Sequence, residues 1–182
     1  FTRNRVAAAL AIATSAAVLS ACGGSTDGSS AGSKQLSIVG YSVPKSANGG
    51  VEKAFNATPA GKGVTWKESY GASGDQSRAV AAGLKADIVH FSLTPDVTRL
   101  VDAGLVAKNW DQNANKGIIS TSVVAIVVRK GNPKHISSFA DLAKSGIGIV
   151  TPNPGSSGSA RWNILAAYQS VIAGGGSEAD AT

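Results

Sequence analysis

The sequence is poor in the residues that most enzyme centres and disulfide scaffolds require. Its 182 residues hold one cysteine, two histidines and no methionine. One cysteine excludes an intrachain disulfide framework and a four-cysteine zinc site. His90 and His135 stand alone in the chain and match no zinc-enzyme pattern, so no metal site and no cofactor are expected. Charged residues make up only 15% of the chain, and the formal net charge of +6 is scattered without a Lys/Arg run. That excludes the dense basic stripe of a nucleic-acid binder. What the chain does have is apolar residues, 43%, and 22 glycines. This apolar fraction is enough for a packed core and excludes wholesale disorder. The length suits one domain, or one domain and part of another.

The longest alanine- and leucine-rich stretch is at the start. Arg3 and Arg5 precede Val6 to Leu19, an apolar run of 14 residues. A membrane span needs about 18 or more, whereas this length fits a signal-peptide core. Leu19-Ser20-Ala21-Cys22 resembles the lipobox of bacterial lipoproteins, where the cysteine becomes acylated after cleavage. Residues 23–33 follow with eight Gly or Ser in eleven, the composition of a flexible tether. We expect a signal peptide over 1–21, then a lipidated Cys22 and tether over 22–34. The protein would then be exported and lipid-anchored, in the periplasm or on the outer face of the cytoplasmic membrane. An ordinary signal peptide with an incidental cysteine is the alternative.

Beyond the tether, strand and helix signals alternate. Residues 36–39, 64–68 and 86–91 read as strands; 121–129 (TSVVAIVVR) is the most strand-like run, and 147–150 follows it. Helical spacing places Val51, Ala54 and Phe55 on one face, then Ala79, Val80, Gly83 and Leu84. Val97, Leu100, Val101 and Leu105 mark a third helix starting near Thr94-Pro95. Phe139, Leu142 and Ala143 suit a short helix capped by Ser137 or Ser138, and Ile164, Leu165, Tyr168, Val171 and Ile172 a closing one. The alternation predicts an α/β fold with a mostly parallel sheet. A polar stretch over 109–117 divides it into lobes at 35–118 and 119–182.

Two loop-to-helix junctions carry the chemistry. One is Tyr70-Gly71-Ala72-Ser73-Gly74-Asp75; the other is Asn153-Pro154-Gly155-Ser156-Ser157-Gly158-Ser159. Free N–H groups and a positive helix dipole at such a junction favour an anion, and glycine lets the backbone approach it. The plainer reading is that Ser73 and Ser157 only cap helices. Asp75 would repel a dianion unless it points away or accepts a ligand proton. Arg78 and Arg161 lie far enough into their helices to be surface residues. Ser42-Val43-Pro44-Lys45 matches the S-x-x-K of serine acyl-transferring enzymes, but the companion K-T-G is missing. That makes an envelope enzyme a distant alternative, and a structural lipoprotein another. His90 reads as a core-edge residue, and His135 as a solvated loop residue.

Four stretches carry a wider resemblance: YGASGDQSRAV at 70–80, 85–106, VVRKGNPKHISSFADL at 127–142, and TPNPGSSGSARWNILAAY at 151–168. In this order they resemble the periplasmic sulfate/thiosulfate-binding proteins of ABC importers, in a lipid-anchored form. The resemblance implies a type II, two-lobe periplasmic solute-binding clamshell, with only the first lobe and the start of the second present. The chain would be a piece of a longer protein. It implies a non-enzymatic role: capture of sulfate or thiosulfate and delivery to a membrane permease. The ligand-binding residues carried over by motif are Ser73, through its hydroxyl, then Ser157, Gly158 and Ser159, through N–H and hydroxyl. Ser42, where some members have Asp, is carried over as a backbone donor. A site built only of donors favours sulfate, which has no proton at pH 7, over protonated phosphate. Another oxyanion, molybdate or phosphate, is the nearer alternative.

Overall fold

A three-stranded parallel sheet organises the first part of the chain. The computed structural model describes residues 34–182, which belong to one compact unit. The expected signal peptide, Cys22 and all of the tether except Lys34 lie outside the described residues, and Lys34 already opens the first strand. The strands are β1 (Lys34–Tyr41), β2 (Val64–Gly71) and β3 (Ile88–His90), in the spatial order β2-β1-β3. Tyr41 pairs with Gly71 in one register, and Gly40 with His90 in the other. As the central strand, β1 buries Ile38, Val39 and Gly40 consecutively, because both its faces are covered.

Parallel neighbours need crossovers, and helices supply them. The first is α1 (Lys45–Asn56), between β1 and β2; α2 (Ser73–Ala81) joins β2 to β3; α3 (Thr94–Asp102) follows β3. Val39 of β1, Val80 of α2 and Leu100 of α3 are almost fully buried together, with Leu84, Val89, Phe91 and Val106 packed around them. Each such side chain contributes about 1.5–3 kcal/mol. Gly61 forms the turn into β2, where an added Cβ would fall 2.0 Å from the Phe55 carbonyl oxygen.

The face of α1 differs from the expectation. Val51 is 67% exposed, while Asn48 and Glu52 are buried. The helix docks through polar contacts: Asn48 Nδ2 donates to Tyr70 Oη at 3.0 Å, and Asn48 Oδ1 lies 3.2 Å from His90 Nδ1. Phe55 meets Trp66 edge-on at 6.0 Å instead of entering the core. The start of α3 agrees with the sequence to within a residue, with Thr94 and Pro95 in its first turn.

After α3 the described chain carries two more helices, α4 (Phe139–Leu142) and α5 (Gly158–Ala173). Ser138 opens α4 as expected: its N–H and hydroxyl both donate to Asp141 Oδ2, at 2.9 and 3.0 Å. The expected strands at 121–129 and 147–150 are a correction. Both runs are unpaired among the described residues, and Val123, Val127 and Val150 are 89%, 92% and 102% exposed. Strand-like sequence makes a strand only where a neighbouring strand accepts its ladder bonds. Between these runs and α5 lies an apolar groove of about 650 Å³. Ile164 and Leu165 of α5 remain more than half exposed, and Gly158 and Ala160 are its buried residues. No described helix is long and apolar enough to cross a membrane.

Candidate functional site

The carboxyl ends of the three strands open onto one cleft. The strand order reverses around β1, and ligands of open α/β sheets bind outside the strand ends at such a point. The cleft has a volume of about 310 Å³. Ser42 and Val43 enter it after β1, Ala72 and Ser73 at the start of α2, and Ser92 after β3. The opposite wall is Pro152 and Ser156 to Ser159, at the start of α5. Among the described residues, none that lines the cleft is charged. The groove beside α5 is larger, but it is walled by the unpaired apolar runs; polar donors converge in the smaller cleft, and there we place the site.

Two helix N-termini meet at this point. The cap residues are Ala72 for α2 and Ser157 for α5, and neither cap makes a side-chain bond to its helix. The Ser157 hydroxyl is therefore not used in capping. Gly74 N–H donates across the cleft to Ser156 O at 2.9 Å. Among the described residues, the N–H groups of Ser73, Gly158 and Ser159 are bonded to no acceptor. An anion could accept from all three, and the dipoles of both helices favour it.

The loop before α5 is held by its own side chains. Asn153 Oδ1 accepts from Gly155 N–H at 2.8 Å, Arg161 Nε donates to Pro154 O at 2.9 Å, and Asn163 Nδ2 donates to Thr151 Oγ1 at 2.9 Å. Arg161 is thus an outer brace. Trp162 Nε1 donates to Ser92 O at 3.0 Å and ties α5 to the end of β3.

Behind α2 lies a buried polar network. Ser73 Oγ donates to Asp96 Oδ2 at 2.7 Å and accepts from Ser92 N–H at 3.0 Å. Ser77 Oγ donates to Asp96 O at 2.6 Å and accepts from Arg99 Nη1 at 2.7 Å. Arg99 Nη1 also reaches Asp96 Oδ1 at 3.1 Å, which balances the carboxylate near the anion-favouring helix end. Asp75 pairs with Arg78 on the exposed side, and both stand outside the cleft lining. His90, the last residue of β3, is buried edge-on to Tyr41 at 5.4 Å, and burial pushes its pKa down. Burial first, then Glu68, pushes the Glu52 carboxyl up.

Residues 36–176 match the model of the bacterial extracellular solute-binding protein family. The chain belongs to that family. This solute-binding chain is 42% identical to the sulfate-binding protein of Synechococcus elongatus, across 100% of its own length and 54% of that protein. It is 36% identical to the thiosulfate-binding protein of Pseudomonas aeruginosa, across 89% of its length and 50% of that protein. Among solved structures it resembles the sulfate-binding protein SubI from Mycobacterium tuberculosis, with 52% identity and a TM-score of 0.75, over 78% of this chain and 50% of SubI. The chain thus spans about half the length of these relatives.

All five residues singled out from the sequence, Ser42, Ser73, Ser157, Gly158 and Ser159, line this same cleft. Two of them stand differently from the expectation. The Ser73 hydroxyl proton is directed to Asp96, which leaves its N–H as the free donor. Ser42 directs both N–H and hydroxyl to Gly71 O, at 3.0 and 3.2 Å. Lys45 Nζ lies over the Tyr70 ring at 5.8 Å; Lys45 meets Ser42 through its backbone N–H, which donates to Ser42 O at 3.3 Å, and among the described residues no side-chain hydrogen bond joins the two. Sequence reasoning missed Ser92, Asp96 and Trp162. Only Asp96 had a signal, an acid in the first turn of a helix, and that signal suggests a dipole partner, not a tether for Ser73.

Proposed function

We propose that this chain is the sulfate-binding part of an extracytoplasmic receptor that delivers its ligand to an ABC permease. The observation that carries the reading is the uncharged cleft where two helix N-termini meet, with N–H groups at Ser73, Gly158 and Ser159 that meet no acceptor among the described residues. Such a site holds a dianion through dipoles and hydrogen bonds, without a full countercharge. Sulfate offers only acceptors, so every donor can be satisfied. Thiosulfate presents the same kind of oxygens to the same donors and is the second ligand we expect. Protonated phosphate needs an acceptor, and Asp75, the candidate for it, is paired with Arg78 away from the cleft. The chain binds and releases its ligand without chemistry. In this reading, residues 35–118 and 119–182 belong to separate lobes that close on the anion. Residues 1–21 direct export, and Cys22 carries the lipid that keeps the receptor at the membrane surface.

A thermal-shift titration of the protein with sulfate, thiosulfate, molybdate and phosphate tests this. At a hundredfold excess over the dissociation constant, one-site binding adds about 2.7 kcal/mol, a rise of several degrees in midpoint. A rise with sulfate or thiosulfate and none with phosphate is the expected result. A folded protein indifferent to all four anions contradicts the proposal.

A further inference from the structure

Each of the three parallel strands delivers a serine to the rim of the cleft. Ser42 follows Tyr41 at the end of β1, Ser73 stands two residues after Gly71 of β2, and Ser92 two residues after His90 of β3. The first two have given their hydroxyl protons to protein acceptors, Gly71 O and Asp96. Ser92 has not. Its N–H donates to Ser73 Oγ and its carbonyl accepts from Trp162, both at 3.0 Å, so its backbone is fixed from both sides. Its hydroxyl oxygen is buried and has no partner among the described residues. The oxygen faces Gly158, where an added Cβ would fall 1.9 Å away. A buried hydroxyl without a partner is costly and asks for an explanation.

We propose that the Ser92 hydroxyl is a further ligand-binding donor, directed at the anion held between Ser73 and Gly158. The inference rests on the sulfate reading above. The donor is fixed by its backbone bonds before the ligand arrives, so little side-chain freedom is lost on binding. The anion supplies an acceptor that the described residues do not. Binding thereby relieves an unsatisfied buried hydroxyl, which adds to affinity.

The test compares the full chain with its Ser92→Ala variant, by calorimetric titration with sulfate and by thermal unfolding without it. The expected result is a dissociation constant at least tenfold higher, as for loss of a hydrogen bond to a charged group. The sulfate-free midpoint should be unchanged or higher, because the variant removes an unsatisfied polar atom. A purely structural serine would lower that midpoint; a fall in midpoint together with affinity overturns the proposal. So does an affinity within threefold of the unsubstituted chain, which leaves the sulfate reading intact. If the unsubstituted chain gives no sulfate binding, both readings fall together.

Discussion

Asp96 holds the cleft-facing end of α2 from behind, and replacing it by alanine is the sharpest test of the network. Asp96 and Ser73 are each 2% exposed, and Ser77 is 0% exposed. Asp96→Ala removes the acceptor of the 2.7 Å bond from Ser73 and the carboxylate partner of Arg99. A buried hydroxyl left without its acceptor costs about 1–3 kcal/mol. Breaking a fully buried ion pair costs about 3–5 kcal/mol, but the Arg99 side chain is 33% exposed and keeps much of its hydration, which discounts that figure. Ser77 keeps its bond to the Asp96 main-chain oxygen in any variant. Together these give a loss of about 3 kcal/mol, or about 6–12 °C in thermal midpoint. Asp96→Asn keeps the volume and an acceptor for Ser73, and should lose about half as much. Urea and thermal unfolding followed by circular dichroism read both. A change below about 0.5 kcal/mol for Asp96→Ala, the range of ordinary surface substitutions, would refute the reasoning.

Gly158→Ala places a methyl 1.9 Å from Ser92 Oγ and 3.0 Å from Leu93 Cγ, so the cleft must open; sulfate titration should show at least tenfold weaker binding, with about 1–3 kcal/mol of overpacking cost in unfolding. The folded pKa of Glu52 is raised by burial and then by Glu68, so its contribution is full below the unfolded carboxylate pKa and is lost as pH rises through the folded value. Glu52→Gln should therefore raise the midpoint at pH 7 and make no difference near pH 4. The Asp141 carboxyl is held well below the usual range by Lys144, then Ser137 and Ser138, so its contribution is present at neutral pH and is lost as pH falls through the folded value. Asp141→Asn should lower the midpoint at pH 7, with the gap to the unsubstituted chain closing in strong acid.

Local signals were legible where the physics is local. The two Ser/Gly junctions were readable because a helix start needs small polar residues, and both reached the same cleft. A serine cap at Ser137 or Ser138 and the Thr94-Pro95 start were readable for the same reason. Long-range partners were not. Ser73 and Asp96 are 23 residues apart, and nothing in either neighbourhood marks them as a pair. The Ser73 hydroxyl and the Ser42 backbone N–H were expected to be available, yet tertiary acceptors take them first. Periodicity put Val51 inside, but the Asn48 contacts with Tyr70 and His90 turn α1 the other way. The continuous Val/Ile-rich run over 121–129 announced a strand, although the ladder depends on a neighbour that the run itself cannot encode.

Amide spectra of nitrogen-15-labelled protein during a sulfate titration test the central claim most directly, because they report where the anion sits. We predict saturable shifts of the Ser73, Gly158 and Ser159 amides, the free donors of the two helix N-termini, with one common dissociation constant. Shifts confined to other parts of the surface, or no saturable shift at these three residues, would contradict the account.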